Sequence, residues 1–378
     1  MNANLTLLSF ASRQIWPQVL SVLKFRPDRL VLFHTDDDSE SKQPAERLKR
    51  FFEIEKILPS QAITLRPIPH DSFQGLVDAI ADTASELSLD EPNCQMNLTG
   101  GDKLMAVAAS EWCRRAEVSC FYLARDFRIF QFQAKSTELS AKLEERIDPH
   151  LAKLLDPLRL LECHLASADI AAPGQRLSLN EKGRRLPDQE FQHLLKKDHD
   201  FTKCLHVDGQ SAERRAGDKL EVAVAFALLK LDVPVVQRGV CLAPRVLPGT
   251  RLEEGELDLV FNWSGKLWLV DCKDRLSAED RVEKLRAAIF RQTNISIIPQ
   301  EVEERMREIS SLLRESELKP LKEDLFMASE IAGLLGKALC VRRAQLPPQA
   351  RQFATSRRLK VILKEDLLPK LRAELHPD

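Results

Sequence analysis

The stretch that decides the fold of the second half of this chain is Gly255–Lys273, which reads GELDLVFNWSGKLWLVDCK. Polar and apolar residues alternate over 256–262 and again over 267–273, and this period of two predicts two half-buried strands. The four residues Trp263–Lys266 lie between them and predict the loop of a β-hairpin. The stretch therefore predicts two antiparallel strands with charged side chains on one face.

A four-residue loop places Asp258 opposite Asp271 and Glu256 opposite Lys273. Directly opposed side chains in an antiparallel pair lie about 4.5–5.5 Å apart at Cβ, so two aspartates in that position repel each other unless something neutralises them. A divalent cation is the natural candidate, because hard cations take carboxylate oxygens as ligands. A three- or five-residue loop would put the two aspartates on opposite faces. The alternative is an ordinary hairpin with solvated charges.

An aspartate near the end of one strand, followed by Asp-X-Lys on the next, resembles the PD-(D/E)XK superfamily of restriction-type phosphodiesterases. The resemblance implies a metal-dependent endonuclease with one or two Mg²⁺ or Mn²⁺ ions. Asp258 and Asp271 would be metal ligands, and the backbone carbonyl of Cys272 would be a third. Lys273 would orient the attacking water or stabilise the charge on the phosphate. The metal would lower the pKa of its bound water and neutralise the phosphate.

A helix is predicted upstream, where residues 217–231 read GDKLEVAVAFALLKL. It is apolar on all sides from Val222 to Leu229, so it should be buried. Glu221 lies at its start, and a carboxylate on a buried helix is costly unless it is paired or binds a metal. The nuclease resemblance implies a catalytic and metal-binding role for Glu221. The alternative is a glutamate that the helix dipole favours.

The remaining elements of this half agree with the order of the superfamily core. They are a strand at Val235–Leu242, a charged helix at 279–290 and a late strand at Leu339–Arg343. The resemblance therefore implies an α/β fold class, with a C-terminal restriction-endonuclease-like PD-(D/E)XK domain. The role of the insert 274–338 is left open.

A second motif lies in the first half, where residues 97–103 read NLTGGDK. It follows an apolar strand-like segment, Cys94–Leu98, and precedes an apolar helix, Leu104–Cys113. A Thr-Gly-Gly turn that opens a helix presents backbone N–H groups and a dipole to an anion, and Lys103 adds positive charge. The motif is not a Walker A loop, because the spacing of its glycines differs. The alternative is an ordinary helix start.

The first 130 residues alternate strands and helices, which predicts a parallel sheet with helices on both faces. The predicted strands cover 5–10, 30–34, 62–66, 94–98, 118–124 and 127–133, with helices at 12–23, 44–57, 73–87 and 104–113. Ligands of such sheets bind at the carboxyl ends of the strands. Ser12, Thr35 and Thr99 all fall at those ends.

This half resembles the CARF domain, a CRISPR-associated Rossmann fold whose pattern includes Asn-X-Thr-Gly-Gly-Thr-Lys after a strand. Asn97, Thr99, Gly100, Gly101 and Lys103 match the pattern, and Asp102 stands where the family has Thr. The segment Ser12-X-Gln14-X-X-Pro17 fits the family's ligand-contacting turn. The resemblance implies an N-terminal Rossmann-like CARF domain that binds a cyclic oligoadenylate. Its contacts would come from Ser12, Gln14, Thr35, Thr99, Gly100, Gly101 and Lys103.

Together the two halves resemble CARF–nuclease fusions, which are dimeric effectors of type III CRISPR antiviral defence activated by cyclic tetra-adenylate. The resemblance implies a cytoplasmic homodimer that cleaves RNA and/or DNA with low sequence selectivity. The division into domains is then a CARF domain at 1–135, a helical connector at 136–210 and a nuclease domain at 211–378. RNA, single-stranded DNA and nicked duplex all remain open as the substrate, and so does the ring size of the activator.

Two functions of other classes are also considered. One is a non-catalytic cyclic-oligonucleotide sensor that binds nucleic acid or regulates a partner, and the intact Asp258, Asp271 and Lys273 argue against it. The other is a restriction-type DNA nuclease whose first half reads the target sequence. The Thr-Gly-Gly loop argues against that function, because base readout needs side chains in a groove.

Composition limits the partners and the compartment. The formal net charge of −1 gives no global basic field, so contacts to nucleic acid must come from local patches. The eight cysteines include no CxxC pair and there is no secretory signal, which favours a reducing cytoplasm. No segment approaches 18 unbroken apolar residues, so we expect no membrane span.

Overall fold

The structure is a computed structural model of the chain. It describes residues 4–89, 93–135, 138–165, 169–208, 218–243, 245–247, 250–252, 255–274, 278–293, 300–315, 321–322, 331 and 336–376. Contacts divide the chain into two compact units. The first comprises the residues up to 170 together with Asn262–Leu267, and the second comprises most of the remainder.

The first unit contains a seven-stranded sheet with the strand order β3-β2-β1-β4-β5-β6-β7. Its elements are β1 Thr6–Phe10, α1 Trp16–Phe25, β2 Arg29–His34, α2 Gln43–Ile54, β3 Ile63–Pro67, α3 Phe73–Glu86, β4 Cys94–Asn97, α4 Lys103–Ala116, β5 Ser119–Leu123, β6 Arg128–Lys135, β7 Glu138–Arg146 and α5 Pro157–His164. The first five strands in sequence pair in parallel, whereas β6 and β7 are antiparallel additions at one edge. The parallel α/β core confirms the predicted fold class of this half.

The central strand β1 is buried along its whole length, as expected of a parallel strand covered on both faces. On one side of the sheet, the apolar residues of α3 and α4 pack together with those of the strands in one hydrophobic cluster. Helices α3 and α4 begin at residues whose side chains cap them. The Ser72 hydroxyl accepts the Gly75 N–H at the start of α3, which satisfies one of the unpaired donors of the first turn.

The predicted helical connector is wrong at its beginning, because Glu138–Arg146 forms strand β7. This strand pairs with β6 in an antiparallel register that runs from Lys135 opposite Glu138 to Arg128 opposite Arg146. The amino-acid sequence of the segment is compatible with an edge strand as well as with a helix, and pairing with β6 selects the strand. The connector also contributes strands at 170–172, 175–179 and 205–208, all of which join the second sheet.

The second half of the chain contains an eight-stranded sheet with the order β10-β9-β11-β14-β15-β16-β17, and β8 pairs beside it with β11. Its elements are β8 Ile170–Ala172, β9 Gln175–Leu179, α6 Glu181–Arg185, α7 Asp188–Lys196, β10 Leu205–Asp208, α8 Asp218–Lys230, β11 Val236–Leu242, β12 Arg245–Leu247, β13 Thr250–Leu252, β14 Glu256–Trp263, β15 Lys266–Lys273, α9 Ala278–Thr293, α10 Gln300–Glu315, β16 Lys337–Arg342, α11 Pro348–Ser356, β17 Lys360–Leu363 and α12 Leu367–Leu375. The sheet is mixed. The strands β10, β9, β11 and β14 pair antiparallel at one side, and β15, β16 and β17 pair in parallel at the other.

The apolar helix α8 is buried as predicted, with every residue from Val222 to Leu229 in the core. Part of the insert after β15 forms α9 and α10, which pack against each other. An ion pair of 3.1 Å between Arg286 and Glu303 joins these two helices.

The hairpin of β14 and β15 has a shorter loop than predicted. Only Ser264 and Gly265 lie between the strands, and both have positive φ, 50° and 65°. Positive φ at both central residues is typical of the type I′ turn, whose twist matches that of the flanking strands. A turn of two residues and a loop of four residues give the same pairing of the two strands, because both are even in length. Asp258 and Asp271 therefore each lie five residues from the turn, on their own strands.

Among the described residues, no helix combines the length and the apolar character that crossing a bilayer requires.

Candidate functional site

The structure brings Asp258, Asp271 and Lys273 together on the two strands of the hairpin. Asp258 Oδ2 accepts the backbone N–H of Cys272 at 2.6 Å. This hydrogen bond joins the Asp258 carboxylate to the residue that directly follows Asp271. The Lys273 ammonium forms an ion pair with the Asp271 carboxylate. The next strand also contributes, because Cys340 Sγ lies 3.8 Å from Asp271 Oδ2.

The electrostatic environment of Asp258 disfavours its charged form. Burial and the negative charge of Asp271 together raise the pKa of Asp258 to about 7, and Glu221 acts in the same direction. The hydrogen bond from Cys272 and the charge of Lys273 oppose this rise without cancelling it. The raised pKa therefore reflects first the burial of Asp258 and second the neighbouring charge of Asp271, which the opposed aspartates of the sequence led us to expect.

Glu221 lies at the start of α8 and approaches the same region, but its carboxylate has a cationic partner. Arg238 of β11 donates from Nε to Glu221 Oε2 at 3.0 Å, and both side chains are only 15% exposed. The guanidinium of Arg238 also reaches Gln175 Oε1 at 3.3 Å. The costly burial of Glu221 is therefore offset by Arg238, which the sequence analysis did not identify as part of the site.

The predicted metal ligands Asp258 and Asp271 are of the chemical type that binds a hard divalent cation. Asp258 and Asp271 offer carboxylate oxygens on neighbouring strands, which is the donor type that Mg²⁺ and Mn²⁺ prefer. Burial raises the pKa of the Cys272 thiol well above its usual range. The prediction for Cys272 concerns its backbone carbonyl, which is an oxygen donor of the same kind. Within the described ranges, no three His, Cys, Asp or Glu side chains are grouped closely enough to hold a metal.

The high pKa of Asp258 predicts a pH-dependent stability. Unfolding returns the pKa of Asp258 from about 7 to about 3.9. Between about pH 3.9 and pH 7, the folded, metal-free chain therefore carries a proton on Asp258 that the unfolded chain has lost. Its free energy of unfolding should fall as pH rises through that window. Asp258→Asn should therefore raise the Tm in EDTA more at pH 8 than at pH 4.5. Asp208→Asn on β10 is the matched control, and an equal effect of both variants at both pH values would contradict the assignment.

In the first unit, a pocket of about 220 Å³ lies beyond the carboxyl ends of β1, β4 and β5. Five of the predicted ligand-binding residues line it: Ser12, Gln14, Thr99, Gly100 and Gly101. The other lining residues are Trp16, Pro17, Leu20, Tyr122, Leu123, Ala124, Arg125 and Phe127. Its position agrees with the rule that open α/β sheets bind ligands at strand carboxyl ends.

The buried Asn97 builds the loop that opens α4. Its Nδ2 donates to Ser9 Oγ and Ser21 Oγ, each at 3.2 Å, and its Oδ1 accepts the Thr99 N–H at 2.9 Å. The Thr99 hydroxyl in turn accepts the Leu123 N–H at 2.7 Å. These bonds join the loop to β1, α1 and β5, and they give Asn97 and Thr99 a structural role in shaping the pocket.

The two glycines of the loop are required by close packing. Gly100 has a φ of +105°, and a Cβ there would lie 2.2 Å from Gln18 Nε2. A Cβ on Gly101 would lie 2.9 Å from both Met105 Cβ and the Phe10 ring. Side chains at either position would therefore disturb the core before they reached a ligand.

Asp102 has a clear local function. Its carboxylate accepts the Met105 N–H at 2.7 Å and caps α4, which begins at Lys103. A threonine can make the same cap, which explains how aspartate fits at this position of the CARF pattern. The cap turns the negative charge toward the helix.

Two predicted ligand-binding residues lie outside the lining of the pocket. Thr35 follows β2 and is buried, and its N–H donates to Ser41 Oγ at 3.1 Å. Lys103 is exposed at the first position of α4. In contrast, Tyr122 and Arg125 line the pocket and were missed. Tyr122 is the chain's single tyrosine and is 46% exposed. Its position near the carboxyl end of a predicted strand is the sequence feature that could have identified it as a pocket residue.

Comparison with known proteins supports the interpretation of the first unit. Residues 6–148 match the family model of the Card1 CARF domain, and this segment spans the seven strands from β1 to β7. No curated protein matches the chain in sequence.

Two solved structures share its fold over nearly the whole length. Can2 from Sulfobacillus thermosulfidooxidans, in complex with cyclic tetra-adenylate, has 17% sequence identity and a TM-score of 0.58, and the match covers 98% of each chain. Protein VC1899 from Vibrio cholerae has 13% identity and a TM-score of 0.57, and the match covers 99% of this chain and 97% of that one. The CARF likeness of the present chain is thus confined to residues 6–148.

Proposed function

We propose that this chain, whose residues 6–148 match the model of the Card1 CARF domain, is a metal-dependent nuclease activated by cyclic tetra-adenylate in type III CRISPR defence. One observation carries the proposal. The same chain combines a CARF pocket with an acidic pair, Asp258 and Asp271, that is accompanied by Lys273 on a hairpin of its second sheet. The shared fold with Can2, whose structure contains cyclic tetra-adenylate, supports the choice of activator.

The pocket has groups suited to a nucleotide. Tyr122 offers a half-exposed aromatic face, and stacking of a base on such a face contributes about 1–3 kcal/mol. Arg125 offers a guanidinium for a phosphate, which it can bind through two parallel hydrogen bonds. The Gly100–Gly101 turn, at the start of α4, presents backbone N–H groups and the positive end of a helix dipole. Together these groups match the adenine bases and phosphates of a cyclic oligoadenylate.

The acidic pair has groups suited to phosphodiester hydrolysis. Asp258 and Asp271 would hold Mg²⁺ or Mn²⁺, with the Cys272 carbonyl as a further ligand. A divalent cation there would lower the pKa of a water and neutralise phosphate charge. Lys273 lies beside Asp271, where its ammonium can orient water or stabilise negative charge on the phosphate. Glu221 would assist this pair from the start of α8, where Arg238 donates to its carboxylate.

A two-fold dimer is part of the proposal. Two identical pockets related by a two-fold axis can each bind half of a cyclic tetranucleotide, which carries the same symmetry. We therefore expect one activator ring per two chains. Calorimetry of the intact protein with cyclic tetra-adenylate measures this ratio, combined with the mass of the complex from light scattering. One ring per chain, or a monomeric complex, would contradict the symmetric arrangement.

The proposal is tested by cleavage of three labelled substrates, namely single-stranded RNA, single-stranded DNA and nicked duplex DNA. Each is incubated with the protein and Mn²⁺, with and without cyclic tetra-adenylate. We expect at least one substrate to be cut faster with the activator, and EDTA to remove the cleavage. Binding of the activator with no cleavage of any substrate would favour the non-catalytic sensor instead.

A further inference from the structure

The turn of the hairpin that carries the two aspartates is packed into the first unit. Asn262 is 2% exposed, and its Nδ2 donates to the backbone carbonyls of Ala152 and Leu155 at 2.5 and 3.3 Å. Trp263 is 1% exposed, and the Lys153 ammonium lies 5.1 Å from the centre of its ring. The turn is thus anchored by buried hydrogen bonds and by packing, although the rest of both strands belongs to the second unit.

The same turn lies against the wall of the ligand pocket. A Cβ on Gly265 would lie 3.4 Å from Leu20 Cδ2 and 3.4 Å from Phe127 Cε1. The ammonium of Lys266 lies 5.3 Å from the centre of the Phe127 ring, within the range of a cation–π interaction. Leu20 and Phe127 both line the pocket. A ligand that moves either side chain therefore moves a direct neighbour of the turn.

The strands that leave this turn lead directly to the acidic pair. Asp258 lies five residues from the turn along β14. At roughly 3.3 Å per residue, this length of extended chain spans about 17 Å. Paired strands resist slipping past each other, because a slip of one residue turns every side chain to the opposite face. Metal ligands must be held within about 0.5 Å of their productive geometry. A small displacement of the turn is enough to matter at the aspartates.

We propose that this turn, residues 262–267, is the element through which the CARF pocket controls the position of Asp258 and Asp271. Lys266 is the positioning residue that senses the pocket wall through Phe127, and Asn262 anchors the strand in the first unit. The inference rests on the proposed function, and it adds the structural route by which the activator would control cleavage. A ligand shifts the hairpin by binding more tightly to the arrangement of Leu20 and Phe127 in which the aspartates are aligned.

Lys266→Met tests this route, because methionine keeps much of the side-chain volume and removes the cation over Phe127. Lys322→Met is the matched control, since the Lys322 ammonium lies 6.0 Å from the Phe353 ring and so forms a comparable pair that does not include the turn 262–267. We expect Lys266→Met to bind cyclic tetra-adenylate within about threefold of the wild-type Kd and to keep its activator-independent cleavage. The stimulation by saturating activator should fall at least tenfold, whereas Lys322→Met should be stimulated like the wild type.

Hydrogen exchange provides a readout that does not depend on cleavage. In the wild type, cyclic tetra-adenylate should change the exchange of amides in peptides covering 256–273, and Lys266→Met should lose that change while still binding the ligand. Full stimulation of Lys266→Met, or loss of its ligand binding, would overturn the inference. A wild type that binds the activator and shows the exchange change, yet cleaves nothing, would overturn the proposed nuclease function and leave the route supported.

Discussion

Replacing Asp271 with alanine should reduce Mn²⁺-dependent cleavage by about 10³-fold or more, because the loss of a metal ligand removes several kcal/mol of transition-state stabilisation. Asp258→Ala should have an effect of similar size. Neither change should unfold the protein. Each removes one member of a pair of like charges, whose repulsion contributes to the raised pKa of Asp258. The measurement is the initial rate at saturating activator, with the Tm recorded in EDTA.

The matched control for these variants is Asp208→Ala, which removes an exposed carboxylate from strand β10 of the same sheet. It should retain the wild-type rate. Both aspartate variants should still bind cyclic tetra-adenylate with wild-type affinity, since neither residue lies in the first unit. Wild-type cleavage by purified Asp271→Ala would remove the acidic pair from consideration as the catalytic site.

Arg125→Met should weaken the binding of cyclic tetra-adenylate by about 10–100-fold. A hydrogen bond to a charged group contributes about 1.5–3 kcal/mol, and methionine retains the apolar part of the side chain. Tyr122→Leu should cost a similar amount by removing the stacking face. Lys103→Ala should have a smaller effect, because Lys103 is exposed and lies outside the lining of the pocket. Calorimetry of the four proteins gives the ranking.

These variants also separate sensing from catalysis. Cleavage without activator should be unchanged in all three, because none of the replaced residues touches the scissile phosphate. The activator concentration for half-maximal cleavage should rise in the same order as the Kd. If Lys103→Ala were the most damaging change and Arg125→Met were silent, the activator would bind away from this pocket. Gly101→Val is unsuitable as a test, because its side chain would collide with Phe10 and Met105 in the core.

Local patterns made much of this structure predictable. The period of two in β14 and β15 fixed the faces of the hairpin, and the parity of its loop brought Asp258 and Asp271 together. The alternation of strands and helices gave the parallel sheet, and the Thr-Gly-Gly turn marked one edge of the pocket. In each case the signal lies within a few consecutive residues, and burial of one face of a strand or helix determines the outcome.

Features that depend on distant partners were not predictable in the same way. β7 forms because β6 offers it a pairing edge, and nothing within Glu138–Arg146 distinguishes that strand from an exposed helix. The Arg238 partner of Glu221 comes from another element, and so does the Phe127 ring beneath Lys266. Tyr122 and Arg125 carry no motif of their own. They join the pocket because β5 ends beside the Thr99 loop, where the Thr99 hydroxyl accepts the Leu123 N–H.

The central claim is that ligand binding in the CARF pocket switches on a metal-dependent phosphodiesterase in the same chain. Its most direct test is the initial rate of nucleic-acid cleavage by the wild-type protein with Mn²⁺, measured against the concentration of cyclic tetra-adenylate and, in parallel, of linear tetra-adenylate. We predict a saturable rise with the cyclic ligand, removed by EDTA and absent with the linear one. A rate that stays flat while calorimetry shows the cyclic ligand bound would contradict the claim.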